Sequence, residues 1–304
     1  MKNRNLIVGC NGLLGQKFVE ILSKNNPDST ILGVSVEPEV LFSTNIRYQQ
    51  MDITNIDSVH RVVQEFHPTN IFNAAAYTNV DKAEIEQDLC WKINVTGVEN
   101  LALEAKAVGA SLYHVSTDYV FSGENGPYRE TDVPEPRGFY AKSKLAAEIA
   151  IKESGVAYFI GRTSTLFGLG ENVRPNFVLW LISALEKNQE VKIVDDQIGN
   201  PTLADNLADA FRVAMLKKAT GIFHLAGREF IDRYSFAMKI AQIFDLNSSL
   251  IHRWKTSELK QLAPRPMNAS MSVEKAQKEL GVHLMSVEEE LLELKRQLLE
   301  KHLL

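Results

Sequence analysis

A tyrosine and a lysine four residues apart are the first side chains in this sequence that could do chemistry together. Tyr140 and Lys144 lie in the segment FYAKSKLAAE, whose alanine and lysine content predicts a helix from 140 to 153. The four-residue spacing puts both side chains on one helical face. We expect the ammonium to lower the pKa of the phenol from about 10, which would make it a usable proton donor and acceptor. A solvated helix face is the simpler interpretation of Lys144.

Hydroxyl side chains occur where the strand before this helix should end. The segment SLYHVS (111 to 116) is predicted to be a buried strand, and Thr117 follows it. Open α/β sheets bind ligands outside the carboxyl ends of their strands. A Thr117 hydroxyl at that edge could bond a substrate oxygen beside Tyr140. Thr117 could instead be a loop cap, but the threonine, tyrosine and lysine together favour a proton-transfer site.

A glycine-rich loop near the N-terminus predicts a phosphate-binding turn. Gly9, Gly12 and Gly15 follow the predicted strand at 5 to 10 and open a helix predicted from Leu13 to Ser23. Glycines at a helix N-terminus let the backbone amides approach a dinucleotide pyrophosphate. The predicted binding loop also includes Asn11, Leu13 and Leu14. A tight turn without a ligand is the alternative, but the strand–loop–helix context favours a dinucleotide cofactor.

Two later positions bear on which dinucleotide is bound. Ser35, near the end of the second predicted strand, leaves room for a ribose 2′-phosphate and favours NADP(H). Glu37 lies two residues further on and keeps NAD(H) open. Asp52 and Ile53 follow the third strand, where Asp52 could accept a hydrogen bond from the adenine amino group. A turn before the next helix explains Asp52 equally well.

Strands and helices alternate through the first half of the chain, which predicts an α/β fold with a Rossmann-type doubly wound parallel sheet and a smaller C-terminal lobe. The predicted strands are 5–10, 30–36, 70–75, 111–116 and 156–161, and a later one is 221–227. Further helices are expected at Asp57 to Phe66, after a capping box at Thr54 to Asp57, and at Lys82 to Val108, opened by Asp81 and Glu84. We predict a cofactor domain at 1–167 to which the chain returns at 196–227, and a substrate lobe at 168–195 and 228–304.

The C-terminal segment predicts an amphipathic helix. Ser286 and Glu289 have capping-box spacing, and Val287, Leu291, Leu294 and Leu298 share one face of the segment from 286 to 304. A coiled coil with a partner is the alternative. Two heptads are short for a coil, so packing on the chain's own domain is favoured.

Composition limits the classes of partner. The 304 residues carry 33 Lys and Arg against 38 Asp and Glu, a formal net charge of −5, with no basic block to bind nucleic acid or an anionic membrane. No apolar run approaches the roughly 18 residues of a membrane-spanning helix, and the N-terminal apolar run is too short for a signal peptide. Cys10 and Cys90 fit no disulfide framework, and the seven histidines suggest no metal site. We expect a cytoplasmic protein.

Taken in order, the motifs resemble those of the extended short-chain dehydrogenases, and among them the dTDP-4-dehydrorhamnose reductase family. The segments that carry the resemblance span nearly the whole chain: GCNGLLG, NAAAYTNVDKAE (73 to 84), INVTGVENLA (93 to 102), STDYVFSG (116 to 123), FYAKSKLAAE, DDQIGNPT (195 to 202) and RPMNASM (265 to 271). The resemblance implies a nicotinamide cofactor, a nucleotide-sugar substrate and reduction of its C4 ketone.

The resemblance also implies roles for individual residues. Thr117, Tyr140 and Lys144 correspond to the catalytic triad, and Asn94 to a helix asparagine that supports the lysine through water. The cofactor site would further include Ala74, Ala75 and Ala76, and the substrate site Tyr77, Thr117, Asp118, Tyr119, Asn200 and Arg265. Two positions depart from the family pattern: Thr165 replaces a tryptophan that lies against the sugar, and Ala269 replaces a serine. The preferred base or sugar could therefore differ.

Alternative functions stay open at this stage. A 4,6-dehydratase is disfavoured because that family has an Asp-Glu pair here, whereas Asp118 is followed by Tyr119. A sugar-nucleotide epimerase would keep its cofactor bound. A regulatory subunit similar to the β subunit of methionine adenosyltransferase would keep the dinucleotide fold without turnover. The sequence leaves a homodimer open as well.

Overall fold

The computed structural model describes residues 3–303 and contains a seven-stranded parallel sheet. Its strands are β1 Arg4–Val8, β2 Thr30–Ser35, β3 Arg47–Gln50, β4 Asn70–Asn73, β5 Ser111–Thr117, β6 Tyr158–Thr163 and β11 Gly221–His224. The strand order is β11-β6-β5-β4-β1-β2-β3, so the direction of winding reverses between β1 and β4. Such a switch point is where open α/β sheets bind ligands. The predicted doubly wound α/β class is confirmed.

Helices cover both faces of this sheet. They are α1 Leu13–Asn25, α2 Ile56–Phe66, α3 Gln87–Trp91, α4 Gly97–Ala107, α5 Phe139–Ser154, α6 Phe177–Glu186, α7 Ala204–Leu216, α8 Arg233–Ile243 and α9 Val287–Glu300. On one face Phe18 and Phe211 pack with Phe72 of the sheet. On the other face, residues of α2, α4 and α5 such as Val62 and Ile151 form a second cluster. Each face of the sheet therefore has its own apolar core.

A smaller lobe forms beyond β6 around a third apolar cluster. It contains the short strands β7 Leu166–Phe167, β8 Val191–Val194, β9 Ile198–Gly199, β10 Thr202–Leu203, β12 Ile231–Asp232 and β13 Ile251–Trp254. The predicted capping box at Ser286 and Glu289 is present at the start of α9. Leu291, Leu294 and Leu298 are buried in the lobe's own cluster, which confirms packing on the chain itself. Leu304, the last residue of that predicted helix, lies outside the described residues. The domain boundaries stay a prediction.

Two local predictions are wrong. Asn55 caps α2 by accepting from Ser58 N at 3.1 Å, so no capping box starts at Thr54. The helix predicted from Lys82 starts as one 3-10 turn, and α3 begins only at Gln87. Asp81 does not cap it, because its carboxylate accepts from Arg265 Nη2 at 2.7 Å and Ala263 N at 3.0 Å. A π-helical segment, Lys92–Thr96, joins α3 to α4.

Among residues 3–303, no helix is both long and apolar enough to cross a membrane.

A buried ion pair joins α5 to the sheet. Arg162 of β6 donates from Nε and Nη2 to the Glu148 carboxylate of α5 at 2.9 and 2.7 Å, and both side chains are at most 2% exposed. Ser116 Oγ of β5 also donates to Glu148 Oε1 at 2.6 Å. Two-pronged contacts of this kind fix orientation as well as distance. The pair therefore sets how α5 lies on the carboxyl ends of β5 and β6.

We predict that Arg162→Met destabilises the protein by about 3 to 5 kcal/mol, because it leaves the Glu148 carboxylate buried without its cation. Chemical denaturation of the purified variant measures the loss. Arg296→Met, which removes an ion pair on the exposed face of α9, serves as the control and should unfold like the wild type. An Arg162→Met protein as stable as that control would contradict the prediction.

Candidate active site

The three glycines of the N-terminal loop, Gly9, Gly12 and Gly15, have different structural roles. Gly9 has φ of 75°, and a Cβ there would lie 2.7 Å from Ala75 N. A Cβ at Gly15 would lie 2.2 Å from Gly9 O. Both glycines are thus required for close packing of the loop. Gly12 differs: it is the exposed N-cap residue of α1, and a Cβ there would contact only Gly9 O, at 3.4 Å.

The loop forms one wall of a cleft of about 910 Å³ at the carboxyl edge of the sheet. Most of the predicted site residues line it together: Asn11, Gly12, Leu13, Leu14, Gly15, Ser35, Ala74, Ala76, Tyr77, Thr117, Asp118, Tyr119, Tyr140 and Lys144. Gly12, Leu13, Leu14 and Gly15 at the start of α1 line this cleft, and a helix N-terminus suits a phosphate of a dinucleotide. The cleft therefore fits a nicotinamide dinucleotide that extends from the glycine loop to Tyr140.

The other predicted residues do not line this cleft: Gly9, Asp52, Ile53, Ala75, Asn94, Asn200 and Arg265. Asp52 Oδ1 accepts from Thr54 N at 2.8 Å, as the turn interpretation expects, and Ile53 is buried. Asn200 has no exposed surface: Nδ2 donates to Gly227 O at 2.7 Å, and Oδ1 accepts from Met271 N at 2.8 Å. A direct substrate contact by Asn200 is therefore not supported by its geometry. Arg265 is held by Asp81, so its charge is already paired.

Lys144 lies buried at the base of the cleft. Its Nζ donates to Val115 O at 2.7 Å and lies 3.2 Å from His114 Nε2. Burial lowers the pKa of Lys144 to about 8, and it lowers the pKa of His114 well below its usual value, so the imidazole is neutral. At pH 7 the lysine keeps its charge, but it loses that charge about two pH units earlier than an exposed lysine would.

The hydrogen bonds around His114 indicate which of its ring nitrogens carries the proton. Asn73 Oδ1 accepts from Ala75 N at 3.1 Å, so its Nδ2 donates to His114 Nδ1 at 3.1 Å. A neutral imidazole accepts at one nitrogen and donates at the other. The proton therefore resides on Nε2, facing Lys144 Nζ, where it favours the neutral amine. The sequence analysis missed His114; a polar residue inside a predicted buried strand was the available signal.

Burial raises the pKa of Tyr140, and contact with the Thr117 side chain opposes the rise. The expected lowering by Lys144 is wrong for the protein alone, because the Lys144 ammonium donates to Val115 O and lies beside His114 rather than bonding to the phenol. Tyr140 consequently keeps its proton across the physiological range. It is ready to donate that proton but needs a further change in the site before it can act as a base.

The Thr117 hydroxyl lies near two possible acceptors, Asp118 and the Tyr140 phenol oxygen. Its hydroxyl donates to Asp118 Oδ1 at 2.9 Å, and Ser164 Oγ donates to Asp118 Oδ2 at 2.6 Å. Burial raises the pKa of Asp118 to about 6, although these bonds oppose the rise. A substrate oxygen beside Tyr140 would therefore compete with Asp118 for the Thr117 proton. The sequence did not reveal this competition, nor the contact by which Ser164 holds Asp118.

Asn94 fixes the loop opposite Lys144. It lies in the π-helical segment between α3 and α4; its Oδ1 accepts from Tyr77 N at 2.8 Å, and Nδ2 donates to Ser143 Oγ at 2.9 Å. Ser143 is the neighbour of Lys144 on α5. The described contacts of Asn94 therefore join the loop after β4 to α5, and the water-mediated link to the lysine stays a prediction.

At the other end of the cleft, Ser35 and Glu37 face the expected position of the adenosine ribose. Burial acts to raise the pKa of Glu37, but hydrogen bonds from Ser35 and Asn11 outweigh it, so the pKa is lowered and the group is a carboxylate. A carboxylate suits the free hydroxyls of NAD(H), whereas Ser35 leaves room for a phosphate. Both features lie on the same wall.

We predict that Gly12→Val weakens NADP⁺ binding by about tenfold or more, because the valine side chain would project into the path of the phosphates while its extended backbone needs no change. Titration of folded protein measures the affinity. Gly15→Ala is the contrasting variant, since its Cβ clashes within the loop and should lower the unfolding temperature. Unchanged affinity in Gly12→Val would remove the loop from the cofactor site.

We predict that NADP⁺ affinity falls as the pH rises through about 8, because Lys144 loses its charge there. Titrations between pH 6.5 and 9.5 measure the midpoint, and Lys144→Met should abolish the step. In His114→Gln a side-chain carbonyl can accept from the ammonium, so the midpoint should move upward. A midpoint that is identical in wild type and His114→Gln would contradict the assigned tautomer.

Comparison with known proteins agrees with this geometry. Residues 3–299 match the family described as RmlD substrate binding domain. A dTDP-4-dehydrorhamnose reductase of Aggregatibacter actinomycetemcomitans is 34% identical over 92% of this chain and 94% of its own length. The methionine adenosyltransferase 2 subunit beta of Bos taurus is 31% identical over 88% of this chain and 80% of its own. The crystal structure of a dTDP-4-dehydrorhamnose reductase from Bacillus anthracis in complex with NADP superposes with a TM-score of 0.88, at 34% identity, covering 98% of this chain and 100% of that one. The chain therefore belongs to the RmlD substrate-binding domain family, and its homologues include NAD(P)-dependent reductases.

Proposed function

We propose that this protein reduces the C4 ketone of a nucleotide-linked 4-keto-6-deoxysugar with NAD(P)H. The observation that carries the proposal is the common cleft: Thr117, Tyr140 and Lys144 line the same space as the glycine loop. A dinucleotide held at Gly12 would supply the hydride at the end of the cleft where these three side chains lie. Reductase relatives at 34% identity over nearly the full length support the same chemistry.

The protein's own groups handle the proton and the orientation. Tyr140 keeps its proton because burial raises its pKa, so it can donate to the sugar oxygen as that oxygen gains negative charge. Thr117 can turn its hydroxyl from Asp118 to the same oxygen and hold it in place. Lys144, charged at pH 7, offers donors toward the cofactor ribose while Val115 O fixes the position of its ammonium.

The nucleotide and the sugar are proposed from relatives. The reductases at 34% identity act, by name, on dTDP-4-dehydrorhamnose, so a dTDP-linked sugar is the first candidate. Thr165 and Ala269 both line the cavity that adjoins Asp118 and Tyr119, which is where a sugar would lie. These two departures therefore bear on sugar preference rather than on hydride transfer.

A regulatory subunit is the second candidate, because methionine adenosyltransferase β subunits match this chain at similar identity. Such a protein would bind the dinucleotide without oxidising it and would form a complex with a synthetase. An epimerase would interconvert sugars without consuming added NADPH. NAD(P)H oxidation with a 4-keto sugar separates the reductase from the other two functions, and conversion of the sugar without that oxidation separates the epimerase from the regulatory subunit.

We predict that Tyr140→Phe lowers kcat for oxidation of NADPH by a dTDP-4-keto-6-deoxyhexose by about 10² to 10⁴-fold, because the ring stays while the proton donor is lost. Cofactor affinity should change little. Tyr158→Phe, on β6 away from the cleft, is the matched control. Parallel assays with NADH and NADPH report the preference set by Ser35 and Glu37, and we expect NADPH to be used at least as well.

Two results would count against this function. A Tyr140→Phe enzyme within a few-fold of the wild type would exclude Tyr140 as the donor. A wild-type protein that binds NADPH but oxidises it with none of the nucleotide keto sugars, and that associates with a methionine adenosyltransferase, would be a regulatory subunit.

A further inference from the structure

An arginine of the smaller lobe reaches into the sugar end of the cleft. Arg233 is the first residue of α8, and its side chain lines both the main cleft and the cavity next to it. Its Nε donates to Gln197 Oε1 at 3.1 Å, and Nη2 lies 3.4 Å from Thr165 Oγ1. The backbone N–H of Arg233 also donates to Gln197 O at 3.2 Å. These contacts hold the guanidinium in one orientation.

Among residues 3–303, no carboxylate forms an ion pair with Arg233. Its side-chain partners Gln197 and Thr165 are neutral, and so is the Tyr119 phenol, whose side chain also contacts Arg233. Asp118 feels the charge only through space, because its two oxygens bond to Thr117 and Ser164. A guanidinium has five N–H donors in a planar fork, and these three neighbours account for only part of them. The cleft thus holds a fixed cation with donors to spare.

Thr165 is what makes room for this cation. The family resemblance leads one to expect a tryptophan at this position, stacked on the sugar. The small threonine side chain leaves the space open and holds Arg233 Nη2 instead. A flat apolar surface is therefore replaced by a hydrogen-bonding cation beside Asp118 and Tyr119.

We propose that Arg233, oriented by Gln197 and Thr165, binds an oxyanion of the nucleotide-sugar substrate. Two sources carry that chemistry: the diphosphate, or a carboxylate on the sugar ring. Arginine suits both, because its fork matches two oxygens at once. The inference rests on the proposed nucleotide-sugar function and adds a specificity residue to it.

The test compares binding of dTDP-glucose and dTDP-glucuronate, which differ in one carboxylate, in the presence of NADP⁺. Arg233→Gln should weaken at least one of them by about tenfold or more, as expected for losing a charged hydrogen bond. Arg233→Lys should keep part of the affinity. Arg228→Gln, which removes a surface pair with Glu289, is the control and should bind like the wild type. Unchanged NADP⁺ affinity shows that each variant is folded.

The pattern of losses identifies the oxyanion. Equal losses for both sugars assign Arg233 to the diphosphate, and a loss confined to dTDP-glucuronate assigns it to a sugar carboxylate. If Arg233→Gln binds both sugars like the wild type, the inference is overturned while the proposed function stands. If the wild type binds neither sugar, the proposed function itself fails and the inference fails with it.

Discussion

The buried ion pair between Arg162 and Glu148 is the interaction on which the rest of the site depends. Glu148 lies one helical turn beyond Lys144 and two turns beyond Tyr140, so the pair fixes the rotation and height of the catalytic helix over the sheet. Ser116 binds the same carboxylate and is the neighbour of Thr117. One carboxylate therefore orients Thr117, Tyr140 and Lys144, through a helix on one side and a strand on the other.

Burial determines the protonation states of Lys144, Tyr140 and Asp118 in this site. Removing Lys144 and Tyr140 from water disfavours the charged form of each, which lowers the lysine pKa and raises that of the tyrosine. Burial also raises the pKa of Asp118, to about 6. The site is thus poised to give a proton to an oxygen that becomes negative. A cofactor and a substrate entering the cleft would change this balance, because each brings charge and displaces water.

The smaller lobe closes the cleft through polar contacts that span long stretches of chain. Asn200 joins the backbone at Gly227 and Met271, and Arg265 binds Asp81 on the cofactor side. These contacts join the lobe to the sheet, and Arg233 of the lobe lines the same cleft as Thr117, Tyr140 and Lys144. Residues that resemble substrate ligands in sequence thus include two whose contacts are structural.

Local patterns in the sequence determined the fold and the core of the site. Glycine spacing, strand and helix periodicity and the four-residue interval from Tyr140 to Lys144 act over a few residues, so they are readable without a structure. Tertiary structure alone decided which groups surround them. The sequence predicted Asp81 to cap a helix, but in the fold its carboxylate accepts a hydrogen bond from Arg265, 184 residues away. The neutral ring of His114 and the cation of Arg233 likewise depend on neighbours brought together by folding, because hydrogen-bond partners and burial are properties of the packed chain rather than of its local pattern.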